Sequence, residues 1–279
     1  MPGTEFFETK YAHKGENYMI ENPLLPASMK IPGKTFTLPS RGMFYSNGEL
    51  DESVQNGELH IHPLSGFTEL SLKNPDLLFN GKAIVRVFNE CVPEVKKPLE
   101  LAAKDVDAIL FFLRMVTYGS EFRIEVEHTC DGAKSHGYAV NLDQVLAMSK
   151  NIDPTMAEEY QSPVTIRGLK VYTRPVRFTD VVALFHETGT KKEFSDQDLE
   201  RIAKLNVLSM IDRVETTRDS KFILEWLETL STPELNEITE AADAKNKWGI
   251  ENVVKLKCRD CGSDMDVELP LNPINFFTS

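Results

Sequence analysis

The clearest chemical signal in this 279-residue sequence is the segment Cys258-Arg259-Asp260-Cys261-Gly262. Two residues between the cysteines allow both sulfurs to face one metal ion, and the following glycine permits a tight turn. Tetrahedral zinc needs two more ligands than this segment provides. The segment therefore predicts half of a structural zinc site, in a zinc-ribbon-like knuckle near the end of the chain.

The missing ligands lie in residues 121–142, which predict a β-hairpin because apolar and polar residues alternate on both sides of Asp131-Gly132. Cys130 lies at the tip of this hairpin, His128 precedes it on the same strand face, and His136 opens the returning strand. Either histidine would complete a site of three cysteines and one histidine. We predict zinc ligands that join the two hairpins: Cys130, His136, Cys258 and Cys261, with His128 as the alternative fourth ligand.

The same residues also allow two other interpretations. Cys258 and Cys261 could be free thiols, and Cys130 and His128 could be ordinary half-buried strand residues. A redox dithiol is disfavoured, because such pairs open a helix whose amino terminus lowers the thiol pKa, whereas a strand is predicted after Cys261. The metal site is the interpretation that we favour.

The remaining candidate ligands have weaker patterns. Cys91 lies on the apolar edge of a predicted helix and is expected to pack in the core. His60 and His62 share a strand face but lack a third ligand nearby, and His186-Glu187 lacks the second histidine of a helical metalloprotease motif. The sequence has no glycine-rich phosphate loop, nucleophile elbow or kinase signature, so we expect no enzymatic activity.

Charge and composition narrow the class of protein. Lys and Arg total 31 against 43 Asp and Glu, and the net charge of −12 disfavours binding to nucleic acid or an anionic membrane over a broad surface. No stretch has the roughly 18 apolar residues of a membrane span, and the amino terminus lacks a signal-peptide pattern. The cysteines are too few for a secreted disulfide framework. We expect a soluble protein made in a cytoplasm, with reduced or metal-bound thiols.

The order of strand-like and helix-like patterns predicts an α+β fold, in which hairpin-rich amino- and carboxy-terminal parts are joined around a helical segment. Residues 1–35 carry four prolines and predict an extended arm. Residues 36–175 predict an α+β domain with central helices and hairpins, and residues 176–248 predict helices. Residues 249–279 predict the knuckle hairpin and an aromatic tail that packs back on the 120–142 hairpin.

Individual elements follow from shorter patterns. Helices are predicted at 84–91 and at the almost wholly apolar 106–116, which we expect in the centre of the core. Arg167-Gly168 predicts the turn of a further hairpin. Helix starts are predicted near Thr179, Ser195 and Thr232, with the second helix continuing to Val214. An apolar helical stripe is predicted in the same region: Phe222, Ile223, Trp226, Leu227 and Leu230.

Several short motifs occur in an order that resembles one viral family. They are Leu38-Pro39-Ser40-Arg41-Gly42-Met43-Phe44-Tyr45, Leu59-His60-Ile61-His62-Pro63-Leu64 followed by Thr68-Glu69, Leu113-Arg114 with Tyr118-Gly119, and, after Cys-x-x-Cys-Gly, Leu269-Pro270-Leu271 and Asn275-Phe276-Phe277. Together they cover about residues 38–142 and 250–279. In this order they resemble the baseplate hub protein family of T-even-like contractile-tailed bacteriophages.

The resemblance implies a late viral structural protein that enters, or helps to assemble, the central hub of the tail baseplate in the virion, without catalytic activity. Its expected partners are other baseplate hub and tail proteins, in a multi-subunit assembly formed in the host cytoplasm. Similar proteins often carry a Cys-x-x-Cys pair in the first hairpin as well. Here Ala133 stands at the second cysteine of that pair, which leaves His128 and His136 as candidates for the fourth ligand.

A zinc-ribbon adaptor in transcription or RNA metabolism is the alternative function. Such an adaptor needs a basic stripe beside the knuckle, and Lys255, Lys257 and Arg259 could provide one. The returning strand, however, brings three acidic residues to the same region: Asp264, Asp266 and Glu268. We therefore favour the structural role in the baseplate.

We predict that the amino-terminal arm contacts another chain, because four prolines and little apolar periodicity cannot support a core of its own. Deleting residues 1–35 should leave the chain soluble but reduce its incorporation into the larger assembly, measured as the fraction that sediments with that assembly. Equal incorporation of the full and shortened chains would contradict this prediction.

Overall fold

The computed structural model describes residues 32–74, 77, 80–128, 130, 134–188 and 193–269. The chain divides into two units, Met1–Pro32 and Gly33–Ser279. The predicted arm, except for its last four residues, and the predicted aromatic tail lie outside the described residues. The second unit has an α+β fold with small antiparallel sheets, which confirms the predicted fold class.

The elements of the second unit are short. The strands are β1 (Lys34–Thr37), β2 (Glu58–Ile61), β3 (Glu121–Val126), β4 (His136–Asn141), β5 (Val164–Ile166), β6 (Leu169–Thr173), β7 (Ile211–Val214), β8 (Val253–Lys257) and β9 (Asp264–Glu268). The helices are α1 (Gly66–Leu72), α2 (Lys82–Cys91), α3 (Ala103–Tyr118), α4 (Leu142–Ala147), α5 (Pro154–Glu159), α6 (Phe178–Thr188), α7 (Asp196–Ser209), α8 (Ser220–Leu227) and α9 (Thr232–Lys245). Antiparallel pairs form between β1 and β2, β3 and β4, and β8 and β9, and β5–β6–β7 form a three-stranded antiparallel sheet. Among these described helices, none is long and apolar enough to cross a membrane.

Helix α3 is the centre of the largest core, as the apolar run at 106–116 predicts. The side chains packed in this core come from β1, β2, α2 and both predicted metal-site hairpins, and include Phe36, Leu59, Ile84, Phe88, Phe122, Val140, Val254 and Met265. Full burial of a large apolar side chain contributes about 1.5–3 kcal/mol. One continuous core therefore holds the two hairpins.

A buried carboxylate fastens residues 38–45 to the start of α3. Asp105 has no exposed surface, and its Oδ1 accepts the backbone N–H of Ser40 at 3.1 Å. Its Oδ2 accepts the hydroxyl of Tyr45, whose oxygen in turn accepts the N–H of Ala102 at 3.0 Å. The motif at 38–45 is thus fixed on both sides of its turn by one side chain of α3.

The two hairpins keep their apolar residues on one face, as the alternation predicts. The directly opposed pairs are Phe122 with Val140 and Ile124 with Tyr138 in β3–β4, and Val254 with Val267 and Leu256 with Met265 in β8–β9. One detail differs from the prediction. β3 ends at Val126, whereas the alternation predicts a strand up to Cys130.

Residues 246–250 bring the chain back to β8. Trp248 is buried, and its indole N–H donates to the Tyr160 hydroxyl at 3.1 Å. Lys104 of α3 donates to the carbonyl oxygens of Asn246 and Trp248, each at 2.7 Å, and its Nζ lies 5.6 Å from the centre of the Trp248 ring. These contacts fix the start of β8 relative to α3.

The segment predicted to be helical contains a strand. Helix α7 starts after Ser195 as predicted but ends at Ser209, and Ile211–Val214 form β7, so the helix predicted up to Val214 is wrong at its end. Val214 pairs with Val171 of β6, and both valines are buried. Cross-strand packing on β6 therefore overrides the helical periodicity of this segment.

A second core joins β5–β6–β7 to α8 and α9. The predicted hairpin turn is present, with φ of 50° at Arg167 and 80° at Gly168. The predicted stripe on α8 is only partly correct, because Ile223 and Leu227 are buried but Phe222 is 59% exposed. The helix is too short to bury so wide a stripe on one sheet.

We expect Asp105→Asn to change how stability depends on pH. Burial raises the pKa of Asp105 from 3.8 to about 6, so the folded state binds this proton more readily than the unfolded state. The free energy of unfolding of the wild type, minus that of the variant, should therefore increase by on the order of 2 kcal/mol as the pH falls from about 7 to about 4. Chemical denaturation at several pH values measures this difference.

Asp51→Asn is the matched control for this prediction. The side chain of Asp51 is 38% exposed, and hydrogen bonds from Ser53 lower its pKa to about 2, so its contribution to stability is lost only as the pH falls below its unfolded value of 3.8. The free energy of unfolding of the wild type, minus that of Asp51→Asn, should therefore stay nearly constant between about pH 7 and about pH 4. A constant difference for Asp105→Asn would contradict the prediction.

Candidate metal centre

The ends of two hairpins meet at one cluster of side chains. His128 and Cys130 follow β3, and Cys258 and Cys261 lie in the turn between β8 and β9. The hairpins meet because both bury their apolar faces in the core around α3. One ligand atom from each of the four residues lies within 4.8 Å of the others, although Cys130 and Cys258 are 128 residues apart in the sequence.

Two of the separations between these atoms match those around tetrahedral zinc. Sγ of Cys130 lies 3.9 Å from Sγ of Cys258, and Sγ of Cys261 lies 3.5 Å from Nδ1 of His128. Zinc bound at about 2.3 Å to sulfur and about 2.0 Å to nitrogen separates two sulfurs by about 3.8 Å and a sulfur from a nitrogen by about 3.5 Å. The residues therefore fit an ion whose four ligands all come from the protein.

Backbone hydrogen bonds shape the turn that carries two of the ligands. The Gly262 N–H donates to the carbonyl of Cys258 at 2.9 Å, and the Cys258 N–H donates to the carbonyl of Ser263 at 2.9 Å. Gly262 has φ of 75°, which glycine adopts without strain. The side chain and backbone of Ser263 also hydrogen-bond to Cys261. The turn is thus closed around its two cysteines.

The cysteines differ in acidity. Hydrogen bonds from the Ser263 side chain and backbone lower the pKa of Cys261 to about 6, which favours its thiolate form. Burial, together with the neighbouring Cys258 and Cys261 thiols, raises the pKa of Cys130 to about 11. The raised pKa means that the Cys130 thiol resists losing its proton. A divalent cation would overcome this resistance, because metal binding deprotonates converging thiols. The cluster therefore combines converging ligand atoms with one thiol whose ionisation is favoured, as a metal site requires.

The two candidate histidines have different neighbours. His128 faces Cys261 within the cluster, whereas Nε2 of His136 lies 2.9 Å from the carboxylate of Asp260. Asp260 also accepts the backbone N–H of Lys134 at 3.3 Å. The pKa of Asp260 is lowered, and the hydrogen bond with His136 is the largest cause. His136 therefore holds the knuckle against the first hairpin from beside the cluster.

Tyr138 makes a further contact between the hairpins. Its hydroxyl accepts the backbone N–H of Arg259 at 3.2 Å, and the guanidinium of Arg259 lies 5.0 Å from the centre of the ring. The sequence patterns did not identify Tyr138, Arg259, Asp260 or Ser263 as parts of the site. The sequence does contain one indication for two of them. Arg259 and Asp260 lie between Cys258 and Cys261, so they must be close to the cysteines at the hairpin tip.

The other candidate residues do not join the cluster. Cys91 is buried with its sulfur 3.8 Å from the carbonyl oxygen of Pro63, and burial raises its pKa to about 12, as expected for a packing thiol. His60 pairs with Glu94 at 2.9 Å, and His186 is exposed on α6. In the part of the chain that the structure describes, no second group of three such ligands converges.

The basic residues beside the knuckle face acidic residues. In the β8–β9 register, Lys255 lies opposite Asp266 and Lys257 lies opposite Asp264. Opposite charges in directly facing positions attract, and they reduce the positive potential of the strand face. This arrangement does not favour the polyanion surface that a nucleic-acid adaptor needs.

Comparison with known proteins identifies a family. A family model described as T4 bacteriophage base plate protein matches residues 68–278. The matched region includes His128, Cys130, Cys258 and Cys261. No curated protein and no solved structure matches the chain.

We predict that the chain binds one zinc ion and that the two histidines contribute unequally. His128→Ala should remove a ligand, so cobalt(II) in the site should lose the absorption pattern of three sulfurs and one nitrogen. His136→Ala should keep that pattern and weaken zinc binding by about 10- to 100-fold, because it removes a contact that orients the ligands. Competition with a chelator measures the affinity.

Protein purified without chelator provides the control for this comparison. Elemental analysis should give one zinc per wild-type chain. A content well below one would contradict the metal site itself. Loss of the nitrogen ligand in His136→Ala but not in His128→Ala would instead show that the assignment of the histidine is wrong.

Proposed function

We propose a function from one premise: the chain belongs to the T4 bacteriophage base plate protein family. Its members are components of the virion tail baseplate, which assembles with other tail proteins. Within the baseplate we assign this chain to the central hub, as a structural or assembly component without enzymatic activity. The observation that carries the proposal is the family match over residues 68–278, which spans both hairpins of the candidate metal centre.

The assignment to the hub is supported by the motifs that resemble hub proteins. The motif at 38–45 has a structural use in this chain, since Ser40 and Tyr45 both bond to the buried Asp105. The motif near 59–64 contributes Leu59 and Ile61 to the core. These motif residues maintain the fold of the core, as expected for a structural component.

A structural role for zinc is supported by the number of protein ligands. Catalytic zinc keeps one coordination position for water or substrate, whereas structural zinc has four protein ligands. The cluster offers four, from two hairpins that are distant in sequence. The ion would therefore close a long loop and stabilise the junction between the hairpins.

A charged cleft elsewhere in the described part of the chain also has a structural arrangement. It has a volume of about 260 Å³ and is lined in part by Tyr172 and three arginines. Each arginine pairs with an acidic residue: Arg174 with Asp180, Arg177 with Glu100, and Arg213 with Asp212. These ion pairs give each arginine a partner within the protein, which supports a role without catalysis.

We expect the tagged full chain to sediment with baseplate hubs or tails from infected cells. Cys258→Ser should lower the fraction in these complexes, because loss of the ion frees the β8–β9 hairpin from the first hairpin. Lys257 is the exposed residue that precedes Cys258 at the end of β8, and Lys257→Ser should leave the fraction unchanged. Gradient sedimentation followed by detection of the tag measures the distribution.

Three results would contradict the proposal in whole or in part. The wild-type chain could stay free of baseplate and tail fractions throughout infection. Alternatively, it could be retained on a phosphate-rich resin at physiological salt, which is the behaviour of a nucleic-acid adaptor. A measurable turnover that disappears when Cys258 or Cys261 is alkylated would contradict the non-enzymatic part.

A further inference from the structure

A groove with partly apolar walls lies between β4, α4 and β8. Its volume is about 400 Å³, and its apolar lining is formed by Val140, Val145, Met148, Val253, Val254 and Leu256. Met148 is 51% exposed and Val253 is 39% exposed. The groove therefore leaves apolar side chains of two separate elements uncovered at the same place.

Among the described residues, the edge of β8 that borders the groove has no strand partner. In an antiparallel pair, alternate residues bond to the neighbouring strand, and the residues between them direct their N–H groups the other way. The Leu269 N–H donates to the Asn252 carbonyl at 2.7 Å, which fixes this alternation. Val253 and Lys255 therefore direct their N–H groups away from β9, and both residues line the groove.

The edge of β4 has the same property. The Leu142 N–H donates to the Ser120 carbonyl at 2.8 Å, so Ala139 and Asn141 direct their N–H groups away from β3. Both residues also line the groove. Within the described ranges, neither β4 nor β8 has a second strand partner. Two open strand edges therefore border one partly apolar groove, which is the arrangement that accepts an added strand.

We propose that the carboxy-terminal tail of this chain, residues 270–279, occupies the groove as an additional strand along β8. Leu269 is buried and is bonded to Asn252, so the tail begins next to the groove-lining Val253. The far edge of β8 is two strand spacings, about 10 Å, from β9. Four extended residues span about 13 Å, so residues 270–273 reach it.

The sequence of the tail suits this position. Pro270 and Pro273 cannot donate a backbone hydrogen bond, and both belong to residues 270–273, which would only cross to the far edge of β8. Residues 274–279, which would form the added strand, include no proline, so each has a backbone N–H to donate. Six extended residues span about 20 Å, slightly more than the length of β8. In an extended strand Ile274 and Phe276 share one face, and this face covers Val253 and Met148.

Hydrogen exchange of the full chain and of a chain that ends at Leu269 tests the proposal. The amides of Val253 and Lys255 should exchange at least about 10-fold faster in the shortened chain, because they lose hydrogen-bond partners. Amides of β1 and β2 should not change. Phe276→Asp should reproduce the effect of the truncation, whereas Asn275→Asp, on the opposite strand face, should not.

The point variants decide the question even when the shortened chain does not fold. Equal exchange of Val253 and Lys255 in wild type and Phe276→Asp would overturn the proposal. Protection that rises with protein concentration would assign the groove to a second copy. Protection that appears only after another baseplate protein is added would assign it to that partner, and each of these outcomes also overturns the proposal.

Discussion

The position of α3 depends on the hydrogen bonds of one buried carboxylate. An unpaired polar group in an apolar core costs several kcal/mol, and Asp105 lies at the buried start of this helix. Its oxygens are satisfied by Ser40 and Tyr45, which precede the helix by about 60 residues. The segment 38–45 must therefore lie against the helix in the folded core, and this constraint makes a short polar motif part of the core.

Both halves of the candidate metal centre are attached to this same helix. β3 follows α3 directly after Gly119, whose φ of 89° permits the change of direction. β8 begins after the segment 246–250, which Lys104 holds near the first turn of α3. The 16-residue helix thus sets the relative position of two hairpins that are far apart in the sequence. Convergence of their cysteines is a consequence of core packing before any ion is considered.

Sequence patterns predicted what depends on neighbouring residues and missed what depends on distant ones. Alternation located both hairpins, because a strand with one buried face imposes a period of two on its own residues. Whether His128 or His136 approaches the cysteines depends on Asp260, which comes from the other hairpin. Likewise, the apolar spacing of the residues that form β7 fits a helix as well as a strand, and the pairing with Val171 on β6 decides between them. No local pattern encodes either contact.

The candidate metal centre and the groove are linked because they share the same two hairpins. β4 and β8 border the groove. The cysteines that would bind zinc lie at the tips of the same two hairpins, after β3 and between β8 and β9. A segment that contacts both hairpins binds best when the hairpins are held together, so a bound ion raises the affinity of the segment for the groove. By linkage, the bound segment raises the affinity of the site for the ion by the same factor. A zinc ion at this site would therefore favour occupation of the groove, and occupation of the groove would in turn help to retain the ion.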